Sequence, residues 1–395
     1  MTEPDQQPIW KIFLFVFILT FLPLATLEGI LQVFPAPDPY LPPAKVHKFL
    51  PAWNNWVHGE QTPPFSSTAD TGRLSGVSTT RVDHTVNKYG FLYDDDLNRD
   101  KAPNELRIAV VGGSAVECGA LREDKRLTAV LQSRLSGELK DRKIIVYNMG
   151  ADAQDTRSFL ATTAQLAVKL NLDYIVFLIG GTDLFQATHF DLLNDTESFV
   201  IIDPAEKNLQ ARLKWWATRF QIVRRMRQIS KTFFARDDRP YFLDGSRPLS
   251  ELPLLTAKTP TISQKALDDY ELNLKSLEGI AAAHHIKAIF VTEPALWKKS
   301  MTKAEIDVDW LGVLSRDGKI YRLRGEDSAN LLDQLNERTM DVCRREQIRC
   351  LDLAGKMART FEYFYDSVHF NESGARYVAE QMGNIVLQDL TNISR

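Results

Sequence analysis

The sequence predicts an α/β fold in which helices cover both faces of a parallel β-sheet. From about residue 106 onward, short apolar runs alternate with longer stretches whose apolar residues recur at helical spacing. Runs that are apolar at nearly every position are typical of strands buried on both faces. Clusters of Gly, Ser, Asn and Thr follow the first three runs, and in such sheets ligands bind beyond the carboxyl ends of the strands.

Each predicted strand is a short apolar run that ends in turn-forming residues or precedes a helical stretch. The five runs cover residues 106–111, 143–147, 174–179, 286–292 and 348–353. The longer stretches are predicted to be helices, because each is long enough for several helical turns and has its apolar residues on one face. They cover residues 127–139, 156–170, 265–283, 329–346 and 373–390.

Composition places the chain among globular proteins and excludes several functional classes. The 395 residues include 48 Lys and Arg against 51 Asp and Glu, and 44% of the chain is hydrophobic. These values exclude a fully disordered chain, a collagen and a multi-span membrane protein. The near balance of charge argues against a nucleic-acid partner bound through overall charge.

Three cysteines are too few for a disulfide scaffold, and no Cys/His cluster has the spacing of a zinc site. Cys343 and Cys350 are expected to be two small buried thiols, with a bridge between them in an oxidising compartment as the alternative. The G-x-G-x-x-G fingerprint and the phosphate-binding G-x-x-x-x-G-K-[ST] loop are both absent. No metal or cofactor is therefore expected.

The amino-terminal segment predicts a membrane anchor at residues 12–34, preceded by a short cytoplasmic tail at residues 1–11. Residues 12–27 are uncharged, and the apolar run continues after Glu28. At about 1.5 Å per residue the extended run spans a hydrocarbon core of about 30 Å. A cleaved signal peptide is the alternative, with a weak exit at Pro23-Leu24-Ala25. The position of the anchor at the amino-terminal end favours a domain outside the cytoplasm.

Two further segments depart from the alternating pattern. Residues 35–84 are expected to form a Pro-rich stalk or cover, and residues 85–395 the globular domain. A basic insertion at 190–262 interrupts that domain and contains a long amphipathic stretch, 211–236. This stretch predicts a helix on an anionic membrane surface, a lid, or a solvated helix packed on the domain.

Four residues carry candidate chemistry at the predicted strand ends and before the last helix. Ser114 follows strand one, Gly150 follows strand two, and Asp366 and His369 lie three positions apart. A serine nucleophile needs a base to take its proton, and that base needs an orienting carboxylate. The Asp366 carboxylate can lie on imidazole Nδ1 and leave Nε2 for Ser114. Backbone N–H groups at Ser114 and Gly150 can face a developing oxyanion.

Four short blocks, in order, resemble those of SGNH (GDSL-type) hydrolases. They are Gly112-Gly113-Ser114, Asn148-Met149-Gly150, Gly180-Gly181-Thr182-Asp183 and Asp366-Ser367-Val368-His369. More narrowly, the chain resembles the membrane-anchored bacterial members of that family. It shares with them an acidic residue near the end of the anchor and an Asn-x-x-Gly-Phe element before the first strand. These features are Leu27-Glu28 and Asn87-Lys88-Tyr89-Gly90-Phe91.

The resemblance implies a flavodoxin-like three-layer α/β/α sandwich and chemistry through an acyl-serine. It implies Ser114 as nucleophile, His369 as general base and Asp366 as its orienting group. Gly150, Thr182 and Asp183 would line the oxyanion and substrate site. The third block departs from the family because Thr182 stands where an asparagine normally donates to the oxyanion. Losing one such donor costs about 10²–10³ in rate.

The function expected from these observations is a membrane-anchored serine esterase outside the cytoplasm, which for a bacterial member of this family is the periplasmic side. Its partners would be an ester-bearing envelope glycan or lipid, and the membrane. The anchor would contact the membrane, with the basic stretch 211–236 as a second candidate contact. An O-acyltransferase that modifies an exported polysaccharide is one alternative, since water and a sugar hydroxyl attack the same acyl-enzyme. An inactive binding or assembly protein is the other, and it rests on Thr182.

Overall fold

The computed structural model describes residues 9–33, 65–70, 74–78, 81–87, 91–92, 100–152, 154–189, 220–223, 225–226, 252–256, 260–316 and 319–393. The chain divides into two compact units. The first comprises Met1–His47 and Glu197–Asp238, and the second Lys48–Thr196 and Arg239–Arg395.

The first unit contains one long apolar helix, α1, at Ile9–Val33. Its segment Phe15–Gln32 is long and apolar enough to cross a membrane, and none of that segment is buried. At about 1.5 Å per residue the helix is longer than a hydrocarbon core is thick. A signal sequence has the same length and composition, so α1 is a candidate for either role.

Glu28, the acidic residue that interrupts the apolar run, has defined partners within this unit. Its Oε1 accepts the backbone N–H of Gln221 at 2.6 Å, and its Oε2 accepts that of Ile222 at 2.9 Å. These N–H groups open a helical segment described at 221–223 and 225–226. The rest of stretch 211–236 lies outside the described residues, so its three interpretations stay predictions.

The second unit is built on nine described strands and eight described α-helices. The strands are β1 Phe65–Asp70, β2 Arg81–Val86, β3 Glu105–Gly112, β4 Lys143–Gly150, β5 Tyr174–Ile179, β6 Lys287–Thr292, β7 Val313–Arg316, β8 Lys319–Arg322 and β9 Arg349–Leu351. The helices are α2 Ser114–Glu117, α3 Leu127–Glu138, α4 Thr156–Gln165, α5 Gly181–His189, α6 Gln264–Ala283, α7 Lys303–Asp307, α8 Gly325–Glu346 and α9 Glu372–Ile393.

Five of these strands form one parallel sheet in the order β4-β3-β5-β6-β9. Gly112 pairs with Gly150, and Val111 with Phe177, so the carboxyl ends of β3, β4 and β5 lie at one edge. The order reverses on either side of β3, which makes that edge a topological switch point where ligands of doubly wound sheets bind. The predicted parallel α/β architecture is confirmed.

Helices cover both faces of the sheet through two separate apolar clusters. One cluster joins alternate sheet residues such as Val111 and Phe177 to residues of α4, α6 and α8, including Leu274. The other joins the opposite residues, such as Val110, to α3 and α9, including Val378. Because side chains alternate across a strand, the continuous apolar runs supply both clusters at once.

The main differences from the predicted elements lie in short segments. The predicted helix at 329–346 begins four residues earlier, at Gly325, and the 156–170 helix ends at Gln165 before a 3₁₀ turn. Helices α2, α5 and α7 and the antiparallel hairpin of β7 and β8 were not predicted. Such elements are too short to show a period. At the carboxyl end of the predicted stalk or cover segment, β1 and β2 form an antiparallel pair. Residues 34–64 lie outside the described residues, so the segment stays a prediction.

The two carboxyl-terminal cysteines form a disulfide, so the expectation of two thiols is wrong. Helix α8 ends at Glu346, and the left-handed φ of 56° at the next residue, Gln347, reverses the chain. Ile348 N then donates to Cys343 O at 3.0 Å. This turn brings Cys350 of β9 back to Cys343 of α8, with their Cα atoms 6.1 Å apart, which is a normal disulfide separation.

Candidate active site

The candidate nucleophile lies on a tight turn at the sheet edge. Strand β3 ends at Gly112, and Ser114 opens helix α2 two residues later. A Cβ on Gly112 would lie 2.3 Å from Val116 Cγ2, and one on Gly113 would lie 2.3 Å from Thr182 Oγ1. Two glycines therefore let the chain turn closely enough to present Ser114 at the carboxyl end of the strand.

The structure brings Ser114, His369 and Asp366 into one hydrogen-bonded relay. The imidazole Nε2 of His369 lies 2.6 Å from Ser114 Oγ, and its Nδ1 lies 2.7 Å from Asp366 Oδ2. His369 and Asp366 are both buried, each 7% exposed. The loop before α9 thus reaches the turn after β3 across a sequence separation of 255 residues. This is the geometry in which an imidazole accepts a serine proton.

Asp366 is held by four donors, two on each oxygen. Its Oδ1 accepts the backbone N–H groups of Val368 at 3.0 Å and His369 at 2.8 Å. Its Oδ2 accepts from His369 Nδ1 and from the indole Nε1 of Trp310, the latter at 2.9 Å. Burial acts to raise the pKa of Asp366, but the His369 charge and these hydrogen bonds outweigh burial and hold the pKa below its usual range.

The relay sets the pH at which ester turnover is expected to fall. Burial acts to lower the pKa of His369, but Asp366, with smaller effects from Asp152 and Glu293, outweighs burial and raises the pKa above its ordinary value. A general base works only when neutral, so activity is expected to be lost as pH falls through this raised pKa. A kcat/KM profile between about pH 5 and 9 should give an acidic limb above about 6.5, the ordinary histidine value. A limb at or below that value would contradict the assignment of His369.

The two predicted oxyanion donors, the N–H groups of Ser114 and Gly150, have different partners. Gly150 N–H donates to the side chain of Asn148, with N···Oδ1 2.9 Å. A Cβ on Gly150 would lie 2.3 Å from Glu117 N and 2.6 Å from Val116 C. Gly150 therefore allows α2 to pack on β4, while its N–H is engaged. The N–H of Ser114, at the first position of α2, has no intrahelical partner and remains the donor next to the nucleophile.

The two third-block residues have separate environments. Thr182 Oγ1 lies against the turn that carries the nucleophile, because a Cβ added to Gly113 would be only 2.3 Å from it. Asp183 Oδ1 instead accepts from Thr156, with the backbone N at 3.2 Å and Oγ1 at 2.6 Å. The Asp183 carboxylate therefore ties the first turn of α5 to the first turn of α4. Its predicted role toward substrate has no supporting contact among the described residues.

Replacing Thr182 by asparagine is expected to raise kcat for a small ester by about tenfold or more, because a longer amide restores an oxyanion donor. The matched control is Thr182→Val, which keeps the shape and removes the hydroxyl. If the Thr182 hydroxyl donates to the oxyanion, this variant should be slower than wild type. Equal rates in all three proteins would mean that another group donates to the oxyanion. The next candidate is the buried side-chain amide of Gln154, which is unpaired among the described residues.

Two side chains that the sequence did not single out support this site. Glu293 follows β6 and is buried; its Oε2 accepts Gly181 N–H at 2.9 Å and so fixes the start of α5. Burial raises the pKa of Glu293 to about 7, against the opposing effects of this hydrogen bond and of His369. Trp310 lies in the loop between α7 and β7 and contacts both Asp366 and His369. The sequence could have indicated Glu293 as a site residue, because it is a carboxylate directly after a predicted strand. No sequence motif indicates Trp310.

Neither a second nucleophile at Cys118 nor a metal cluster is seen among the described residues. The Cys118 thiol is buried, contacts Ala115 O at 3.1 Å, and burial raises its pKa to about 11, so it is a packing residue. No group of three or more His, Cys, Asp or Glu side chains among the described residues could hold a metal ion.

Comparison with known proteins gives only distant similarities. Neither a protein-family model nor a curated protein matches the chain. Among solved structures, the chain is similar to an alpha/beta hydrolase enzyme from the metagenome of Lake Arreo, with 14% identity and a TM-score of 0.41, over 73% of this chain and 96% of that one. A mutant of an acetyl-xylooligosaccharide esterase from Geobacillus stearothermophilus has 13% identity and a TM-score of 0.42, over 71% of this chain and 94% of that one. A G-D-S-L family protein from Desulfitobacterium hafniense has 10% identity and a TM-score of 0.38, over 71% and 98%. These likenesses concern architecture alone, and the site is assigned from its own geometry.

Proposed function

We propose that this protein is a serine esterase that acts through an acyl-serine intermediate. The observation that carries the proposal is the continuous relay from Ser114 Oγ through both nitrogens of His369 to Asp366, at 2.6 Å and 2.7 Å. A serine, a histidine and an aspartate at these separations, at the switch point of a parallel sheet, have the roles of nucleophile, base and orienting group.

The proposed reaction uses His369 twice. Ser114 Oγ attacks the ester carbonyl while Nε2 takes its proton, and the carbonyl oxygen becomes an oxyanion next to the Ser114 N–H. Collapse of this intermediate breaks the C–O bond to the alcohol, which leaves with the proton from Nε2. Water then attacks the acyl-serine and gives its own proton to Nε2. The second collapse releases the carboxylic acid and returns the proton to Ser114. Asp366 stabilises the imidazolium in both halves.

The same acyl-serine would serve an O-acyltransferase if a sugar hydroxyl replaced water in the second half. Because the proposed location is outside the cytoplasm, the proposed substrates are acyl esters of an envelope glycan or lipid. Acyl transfer to a sugar is the second outcome of the same test. The inactive alternative is less well supported, because an inactive scaffold has no need for a buried, fully hydrogen-bonded His369–Asp366 pair.

Two observations support a location outside the cytoplasm with an anchor in the membrane. Helix α1 has the length and composition of a span, and the Cys343–Cys350 disulfide is of a kind that persists in oxidising compartments. The expected finding is a chain that starts at Met1 and sediments with membranes. A soluble chain that starts near residue 26 would instead indicate a cleaved signal peptide.

The direct test is pre-steady-state hydrolysis of p-nitrophenyl acetate by the full chain in detergent. An acyl-serine mechanism predicts a burst of p-nitrophenol when deacylation is slower than acylation, and acetate as the final product. Adding an acceptor glycan distinguishes transfer, which diverts the acetyl group to the sugar. If the folded wild-type chain releases no p-nitrophenol above background, the esterase proposal fails.

A further inference from the structure

Trp310 is the one side chain outside the triad that has described contacts with both its acid and its base. Its indole Nε1 donates to Asp366 Oδ2 at 2.9 Å. Its ring stacks on the imidazole of His369, with ring centroids 5.7 Å apart and an interplanar angle of 13°. Tyr365 makes a second near-parallel contact with the same imidazole, at 5.5 Å and 11°.

The loop that carries Trp310 is fixed by its neighbour, Asp309. This buried carboxylate accepts through Oδ1 from the indole Nε1 of Trp297 at 3.1 Å and from the backbone N–H groups of Leu311 at 3.3 Å and Gly312 at 3.0 Å. A Cβ on Gly312 would lie 2.3 Å from Asp309 Oδ2. The turn therefore closes around Asp309 and restricts movement of Trp310 away from Asp366 and His369.

The two contacts have different physical effects on the reaction. The indole N–H shares Oδ2 with His369 Nδ1, so it prevents the carboxylate from rotating and fixes the line along which Nδ1 donates. The near-parallel aromatic faces restrict tilting of the imidazole and favour the imidazolium that forms when Ser114 loses its proton. Together they hold His369 in the orientation in which Nε2 faces Ser114 Oγ.

We propose that Trp310 is a positioning residue for the triad, which acts on His369 by stacking and on Asp366 by hydrogen bonding. This inference rests on the proposed function and deepens it, because it assigns part of the catalytic arrangement to the loop between α7 and β7.

The test compares two substitutions in the full chain, each of which removes a side-chain donor from a buried aspartate. Trp310→Phe keeps a stacked ring and removes the N–H. It is expected to lower kcat about tenfold, the worth of a hydrogen bond to a charged group, with KM nearly unchanged. It should also move the acidic limb of kcat/KM to higher pH, because Asp366 keeps more negative charge and holds the imidazolium more strongly.

Tyr174→Phe is the control, because it removes a side-chain donor from another buried carboxylate, Asp389, and contacts neither Asp366 nor His369. It should lower the melting temperature while leaving the acidic limb in place. If Trp310→Phe matches wild type in kcat and pH profile, or if Tyr174→Phe reproduces both changes, Trp310 is only part of the loop structure.

A second measurement separates this inference from the proposed function. The pKa of His369 can be followed by NMR in protein labelled with ¹³C at histidine Cε1, with the resonance assigned by its loss in His369→Gln. The pKa should be higher in Trp310→Phe than in wild type, whether or not any ester is turned over. Identical titrations would overturn the positioning role, whereas shifted titrations without turnover would count against the esterase alone.

Discussion

Replacing Ser114 by alanine is expected to lower kcat for a small ester by about 10⁶-fold, because the acyl-enzyme can no longer form. The remaining rate should reflect only binding and polarisation of the ester carbonyl. Steady-state hydrolysis of p-nitrophenyl acetate by the full chain measures this loss, and the burst of p-nitrophenol should disappear with it.

Ser276→Ala is the matched control for this substitution. Ser276 is a half-buried surface residue of α6 whose hydroxyl donates to Leu272 O at 2.8 Å, and surface substitutions of this kind change stability by less than about 0.5 kcal/mol. Its activity should equal that of wild type. Retention of a substantial part of the activity by Ser114→Ala, in a protein with an unchanged melting temperature, would mean that another group is the nucleophile.

Replacing Asp366 by asparagine is expected to cost about 10⁴-fold in kcat, as loss of an orienting carboxylate does in serine hydrolases. All four groups around Asp366 are donors: two backbone N–H groups face Oδ1, while Nδ1 of His369 and Nε1 of Trp310 face Oδ2. Either orientation of an asparagine amide therefore places its NH₂ against donors. The imidazole would have to adopt the other tautomer, with the proton on Nε2, where it cannot accept from Ser114.

The control for this prediction is Asp341→Asn, because Asp341 forms an exposed ion pair with Arg344. Such pairs contribute at most about 1 kcal/mol, so this variant should have wild-type kcat and nearly wild-type stability. For Asp366→Asn the loss should appear in kcat, with KM for the small ester little changed. A loss of less than about tenfold would show that His369 keeps its tautomer and orientation without the carboxylate.

The sheet was predictable because its strands are buried on both faces. A run such as residues 174–179, apolar at every position, matches β5 residue for residue. The positions of Ser114, Asp366 and His369 followed from the same reasoning, since turns after parallel strands meet at one edge. The Asp366–His369 contact is local, because the two residues lie three positions apart, whereas the Ser114–His369 contact joins segments 255 residues apart.

What the sequence did not predict depends on contacts between distant loops. Trp310 reaches Asp366 across 56 residues, and nothing in its local sequence indicates that pairing. The N–H of Gly150 was available on sequence grounds, but the side chain of Asn148 engages it. The Cys343–Cys350 disulfide required the chain reversal at Gln347, a left-handed residue that no glycine marks.

The most direct test of the central claim is to locate the adduct of a fluorophosphonate probe on the full chain by peptide mass spectrometry. Such probes bond to a serine whose proton a neighbouring base removes. The structure predicts one adduct, on the peptide that contains Ser114, and its loss in His369→Gln as well as in Ser114→Ala. No adduct on the folded wild-type chain, or an adduct on another residue that persists in Ser114→Ala, would contradict the proposed triad.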